Sequence, residues 1–68
     1  MKLTWNDADQ IAWALDDANP GLDPLSLSFT KLHQLVIQLS DFADDPSASS
    51  ERVLESIQMA WYDEVGSN

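Results

Sequence analysis

The chain contains no cysteine and a single histidine, His33, in 68 residues. Those two counts constrain the fold more than any other feature of the sequence. A domain this small buries only about 60 % of the surface that its unfolded chain exposes, and many such domains add a disulfide or a structural metal. No disulfide is possible here. One imidazole without a thiolate cannot build a zinc site of the usual kind. The fold must therefore rest on apolar packing, for which 44 % hydrophobic residues and three tryptophans provide material. Little core is left over to wall in a catalytic cleft.

Residues 1–68 read as a single acidic helical domain. Periodicity and stop signals predict three helices. The first follows Asn6 as N-cap, with Asp7 and Asp9 in its first turn, where the helix dipole favours anions. Ala8, Ile11, Leu15 and Ala18 recur at helical spacing as its buried face, and Asn19-Pro20-Gly21 stops it. From Leu22 to Phe29, Leu25, Leu27 and Phe29 alternate with serines behind Pro24, a pattern that suits a short extended segment. Thr30 is the expected cap of a second helix reaching about Ser40, with Leu32, Leu35, Val36 and Leu39 facing inward. Asp41-Phe42-Ala43-Asp44-Asp45-Pro46 reads as a loop. Ser47 or Ser49 is the expected cap of the third helix, which carries Glu51 in its first turn and Val53, Leu54, Ile57, Ala60 and Trp61 on its core stripe. Trp5 also belongs to the core, and residues 66–68 read as a frayed tail. The expected fold is mainly α: three helices plus a short extended or β segment, a small compact domain compatible with a winged-helix-like type.

Twelve acids against Lys2, Lys31 and Arg52 leave a net charge of −9. Such a charge keeps a small protein dispersed, and it also attracts something positive, either a basic protein surface or a cation. It opposes nucleic acid, whose phosphates require lysine and arginine. No apolar stretch approaches the length of a membrane span, and the first residues carry no secretory pattern. The expected setting is soluble and cytoplasmic.

Chemistry-bearing patterns are sparse. His33 stands alone, so no two-histidine metal motif forms, and it reads as a residue that packs or hydrogen-bonds on its helix flank. There is no thiol nucleophile, and no nucleophile-elbow pattern surrounds the serines, so no enzymatic activity is expected. An EF-hand alignment from Asp41 fails, with Ala43 at the third position, Pro46 at the sixth and Arg52 at the twelfth. At about 100° per residue, Asp9, Trp13 and Asp16 share an outward stripe of the first helix, with Asp17 beside it. Trp13 is either covered by another segment or serves as a binding anchor. Glu51, Glu55, Met59, Tyr62 and Asp63 share the outward side of the third helix. Carboxylates without imidazole or thiolate hold divalent cations labilely; the alternative is a merely solvated acidic face.

Leu3-Thr4-Trp5 with Asp7 and Ile11, Pro20, Asp23-Pro24 and Phe29-Thr30 resembles the IscX-type proteins of bacterial iron–sulfur cluster assembly. So does Asp41-Phe42-Ala43-Asp44-Asp45-Pro46 leading into Ser49, Glu51, Leu54-Glu55, Ile57 and Trp61-Tyr62-Asp63-Glu64. The resemblance spans about residues 3–65; Trp13, Ser50 and the Gly-Ser-Asn tail depart from it. It implies a modified winged-helix fold that docks on the cysteine desulfurase as an adaptor or modulator, overlapping the frataxin-like protein. It also implies weak iron binding through surface carboxylates and no tightly bound cofactor. The matching acids, candidate iron ligands, are Asp7, Asp41, Asp44, Asp45, Glu51, Glu55, Asp63 and Glu64. The candidate partner-binding residues are Asp9, Trp13, Asp16, Asp17, Asp44 and Asp45. The expected molecule is a monomer, with ferredoxin or the cluster scaffold as further candidate partners. A cysteine-free chain cannot itself be that scaffold, because cluster irons are held mostly by thiolates. A DNA-mimicking inhibitor and a simple metal buffer stay open as alternatives.

Overall fold

A computed structural model describes residues 2–66. Three α-helices, α1 (Ala8–Ala18), α2 (Phe29–Ile37) and α3 (Glu51–Gly66), are joined through two short 3-10 turns, Pro24–Ser26 and Pro46–Ala48. The mainly helical expectation is met. Among the described residues the β pairing is one isolated parallel bridge between Leu3 and Phe42. Leu3 N–H donates to Asp41 O at 2.8 Å, and Ala43 N–H donates to Leu3 O at 2.9 Å.

The extended segment expected over Leu22–Phe29 needs correction. Pro24 opens a 3-10 turn capped by Asp23, whose carboxylate accepts from Leu25 N–H at 3.0 Å. Extended backbone is confined to the residues flanking that turn, Asp23 before it and Leu27 and Ser28 after it. The Asp-Pro turn chemistry outweighs the apolar alternation that follows it.

Helix starts are also shifted. The N-cap of α1 is Asp7, not Asn6, and its side chain makes no cap. The Asp7 carboxylate instead reaches back to accept from Thr4 N–H at 2.9 Å and Thr4 Oγ at 3.1 Å. Together with Asp7 N–H donating to Thr4 O at 3.0 Å, this closes the Thr4-Trp5-Asn6-Asp7 turn that feeds α1. Ser28 caps α2, two residues before Thr30, its hydroxyl accepting from Lys31 N–H at 3.2 Å. The helix ends at Ile37 rather than near Ser40, because Leu39 and Phe42 N–H turn onto the carbonyls of Val36 and Leu39. Ser50 caps α3, accepting from Val53 N–H at 3.3 Å. The expected caps Ser47 and Ser49 belong to the preceding 3-10 turn. Gly66 closes α3 instead of starting a tail; the remainder of the expected frayed tail, residues 67–68, lies outside the described residues. After α1, Gly21 turns the chain at φ +82°, a conformation that glycine adopts without steric penalty.

The core joins Leu3, Trp5, Ile11, Ala12, Leu15, Leu32, Val36, Leu54, Ile57 and Trp61. Trp5 and Trp61 are buried as expected, whereas Ala18 is exposed and Ala12 takes its place on the inner face of α1. Leu35 and Leu39 are only partly buried. Pro24 is buried beside α3, where Gln58 Nε2 donates to its carbonyl at 3.0 Å.

Trp61 is fully buried, and its indole N–H has no hydrogen-bond partner among the described residues. A buried orphan donor costs about 1–3 kcal/mol. Trp61→Ala should lower stability by about 3–5 kcal/mol through lost packing. Trp61→Phe keeps most of the apolar volume and deletes the orphan donor, so its loss should be below about half that of alanine. Equal losses in urea unfolding would refute the offset.

Asp45 caps the Pro46–Ala48 turn, its carboxylate accepting from Ser47 N–H at 3.0 Å and Ser47 Oγ at 2.8 Å. The Ser47 amide bond, then the hydroxyl bond, favour the ionised carboxylate and hold it below the usual carboxylate range. The cap is therefore fully present at neutral pH. It weakens as pH falls below the ordinary Asp value of about 4, and it is lost through the lowered folded value. The Ser47 amide resonance should titrate with a midpoint below about 4; a midpoint at or above that value contradicts the cap.

Candidate functional site

None of the twelve acids is buried, and all but Glu64 divide into two groups by what their oxygens do. Asp7 and Asp23 fix turns, as described above. Asp44 ties the loop after α2 to the N-terminal segment: its Oδ2 accepts from Trp5 N–H at 3.0 Å and its Oδ1 from Asp45 N–H at 2.7 Å. The Trp5 indole N–H donates to Asp45 O at 2.7 Å. His33 stacks on the Trp5 ring with centroids 5.5 Å apart, and Phe42 meets its edge at 4.8 Å. Because a carbonyl only accepts, His33 Nε2 donates to Pro46 O, at 2.6 Å. His33 is thus a packing and hydrogen-bonding residue, as its isolation in the sequence suggested, and this nitrogen is not available as a base.

The second group faces solvent. Asp9, Asp17, Asp41, Glu51, Glu55 and Asp63 are exposed and Asp16 is half-buried; among the described residues no hydrogen bond ties these seven carboxylates into the fold. Asp16 and Asp17 stand in the last turn of α1, and Asp63 and Glu64 in the last turn of α3. There they oppose the negative end of the helix dipole, at roughly 0.3–1 kcal/mol each. No helix has a basic residue in its last turn. An open groove of about 370 Å³ lies between the end of α1 and the chain leaving α2, lined by Ala14, Asp17, Ala18, Leu39 and Asp41 among others. Two carboxylates and the carbonyl ends of two helices give it negative potential.

Trp13 is 54 % exposed, and its indole N–H donates to Glu64 Oε2 at 3.0 Å. The ring is pinned by α3 but not covered. Glu51, Glu55, Met59, Tyr62 and Asp63 all point outward on α3 as expected. The structure thus brings Asp9, Trp13, Asp16 and Asp17 onto one helix face. It places Asp44 and Asp45 apart from them, in the loop clamped by Trp5. The candidate iron ligands do not converge: among the described residues no three Asp, Glu or His side chains form a group that would hold a metal ion. The donor set does not fit a resident metal.

Sequence reasoning missed the Trp5–Asp44 tie and the structural role of Asp7. The Thr4-x-x-Asp7 spacing was the available signal for the second. The first joins residues 39 positions apart and leaves no local pattern.

Among the described residues no helix is long and apolar enough to cross a membrane. A family model described as iron–sulphur cluster assembly matches residues 3–66. An uncharacterized protein of Pseudomonas aeruginosa is 45 % identical over 64 residues, covering 94 % of this chain and 97 % of the relative. The acidic helical chain therefore belongs to the iron–sulphur cluster assembly family of IscX type.

Proposed function

We propose that the protein is a small acidic adaptor that docks on the cysteine desulfurase of cluster assembly and modulates it, in the cytoplasm and as a monomer. One observation carries the reading beyond family membership. Asp16, Asp17, Asp63 and Glu64 occupy helix ends where the dipole opposes them. Residues that break a local rule at a cost to stability mark functional surfaces. A basic patch on a partner would turn that local cost into attraction, raising the encounter rate and fixing orientation. Asp44 and Asp45 add charge to the same molecule, but they are also tied into the fold. Reversing them tests stability and docking together.

Iron, in this reading, is a cargo met by solvent-facing carboxylates such as Asp41, Glu51, Glu55 and Asp63. Pairs of oxygen ligands without a cage hold it weakly.

Two outcomes test the proposal. Asp16→Lys with Asp17→Lys should keep or raise thermal stability, because each lysine complements the dipole end. The same pair should weaken desulfurase binding by at least about 1.4 kcal/mol, a tenfold change. Wild-type affinity should fall as salt rises above about 0.15 M, where the Debye length is near 8 Å. Calorimetry showing salt-independent binding that tolerates the double reversal would sink the electrostatic model. Selective capture of nucleic-acid-binding proteins instead would favour the DNA-mimic reading.

For iron, Fe²⁺ titration should perturb amides near the solvent-facing acids and be reversed by excess Mg²⁺ or Ca²⁺, since no soft ligand confers selectivity. Saturable binding that survives those competitors would contradict a surface carboxylate site.

A further inference from the structure

We propose that Trp13, held by Glu64 and rimmed by Asp9, Asp16 and Asp17, is an arginine-recognition point for the basic partner. The inference deepens the docking reading and rests on it for the partner's identity, though not for the chemistry.

Among the described residues Trp13 is the most exposed of the large apolar side chains, at 54 %. Its ring is nevertheless restrained, because the indole N–H is engaged by Glu64 across the α1–α3 contact. A fixed, half-open aromatic face loses little freedom on binding, which is a property of interface anchors. Its helix neighbours at i−4, i+3 and i+4 are Asp9, Asp16 and Asp17. Side chains on a helix lean over the preceding turn, which is the turn that carries Asp9. A guanidinium can lie flat on the indole while its edge N–H groups pair with these carboxylates. Lysine, a compact and strongly hydrated ammonium, cannot do both. Charge decides against other occupants: a second copy at −9 repels this face, as do phosphate backbones and anionic lipids.

The test uses the full-length chain labelled with ¹⁵N, and hexa-arginine and hexa-lysine peptides of equal charge. Hexa-arginine should move the Trp13 indole N–H resonance and bind about two- to fivefold tighter than hexa-lysine. Trp13→Ala should abolish that preference while leaving the circular dichroism melt unchanged. Glu64→Gln retains an acceptor for the indole and should keep the preference, whereas Glu64→Ala should reduce it. Equal affinity for the two peptides, an unmoved Trp13 resonance, or a preference that survives Trp13→Ala would overturn the proposal. With the desulfurase, Trp13→Ala should weaken binding about 10- to 30-fold. If the enzyme binds wild type and Trp13→Ala equally, the arginine site fails and the docking reading stands. If the enzyme binds neither while the peptides are still discriminated, the docking reading fails and the arginine site stands.

Discussion

Trp5 sits where the apolar core meets the acidic loop and engages both that loop and α2. Its backbone N–H holds Asp44, its indole N–H holds Asp45 O, its face carries His33 and its edge meets Phe42. With the Leu3–Phe42 bridge beside it, this single residue ties the N-terminal segment, α2 and the loop after α2 together. The loop needs such a tie. It contains Asp41, Asp44 and Asp45 within five residues, has no regular structure, and would be driven outward by its own charge. A domain without disulfide or metal has few other ways to fasten an irregular acidic segment. Aromatic packing supplies the contact area, and the hydrogen bonds from the Trp5 backbone and indole N–H groups supply the direction.

That constraint explains why the acids serve two purposes. Asp7, Asp23, Asp44 and Asp45 each accept a backbone N–H, and ionised acceptors make hydrogen bonds roughly twice as strong as neutral ones. For these four, charge contributes to the fold. Asp9 and Glu51 stand in first turns, where the helix dipole favours them, but Asp16, Asp17, Asp41, Glu55 and Asp63 contribute only repulsion to the fold, since no carboxylate is buried and the net charge is −9. The chain tolerates this second group because its core is fully closed: Ile11, Leu15, Leu32, Val36, Ile57 and Trp61 are all shielded from solvent.

Most of the fold was legible in the sequence because helical periodicity is a local signal: Ile11 and Leu15, Leu32 and Val36, and Leu54, Ile57 and Trp61 were all placed correctly from spacing. The boundaries were less legible. Ser28 and Ser50 each compete with nearby serines or threonines that are equally good caps in isolation, and tertiary position decides among them. The Leu22–Phe29 segment misled because Leu25, Leu27 and Phe29 alternate, yet Leu25 is among the most exposed apolar residues. Asp23-Pro24 had already set a turn. At the surface, the outward stripes of α1 and α3 followed from helical geometry. What the sequence could not show was which acids are tied down, since the Trp5–Asp44 and Trp13–Glu64 bonds span 39 and 51 residues. The winged-helix likeness came from the family resemblance and from reading Leu22–Phe29 as an extended segment beside three helices, a segment that instead contains a 3-10 turn.

The same division bears on how an acidic surface achieves specificity. Mobile, solvated carboxylates attract any basic protein, and at physiological salt their reach is only about 8 Å. They set how fast a partner arrives more than which partner stays. Discrimination requires groups whose positions are fixed before contact. On this molecule such groups are few: the Trp13 ring held by Glu64, and the groove walls that Ala14, Ala18 and Leu39 form between the end of α1 and the chain leaving α2. Both features include residues of α1, and α1 is anchored by Ile11, Ala12 and Leu15 against the core that Trp61 fills. The packing that replaces the missing disulfide is therefore also what holds the recognition surface in shape. A small core substitution beneath α1 would blur selectivity while leaving the long-range attraction intact, because net charge survives such a change and geometry does not.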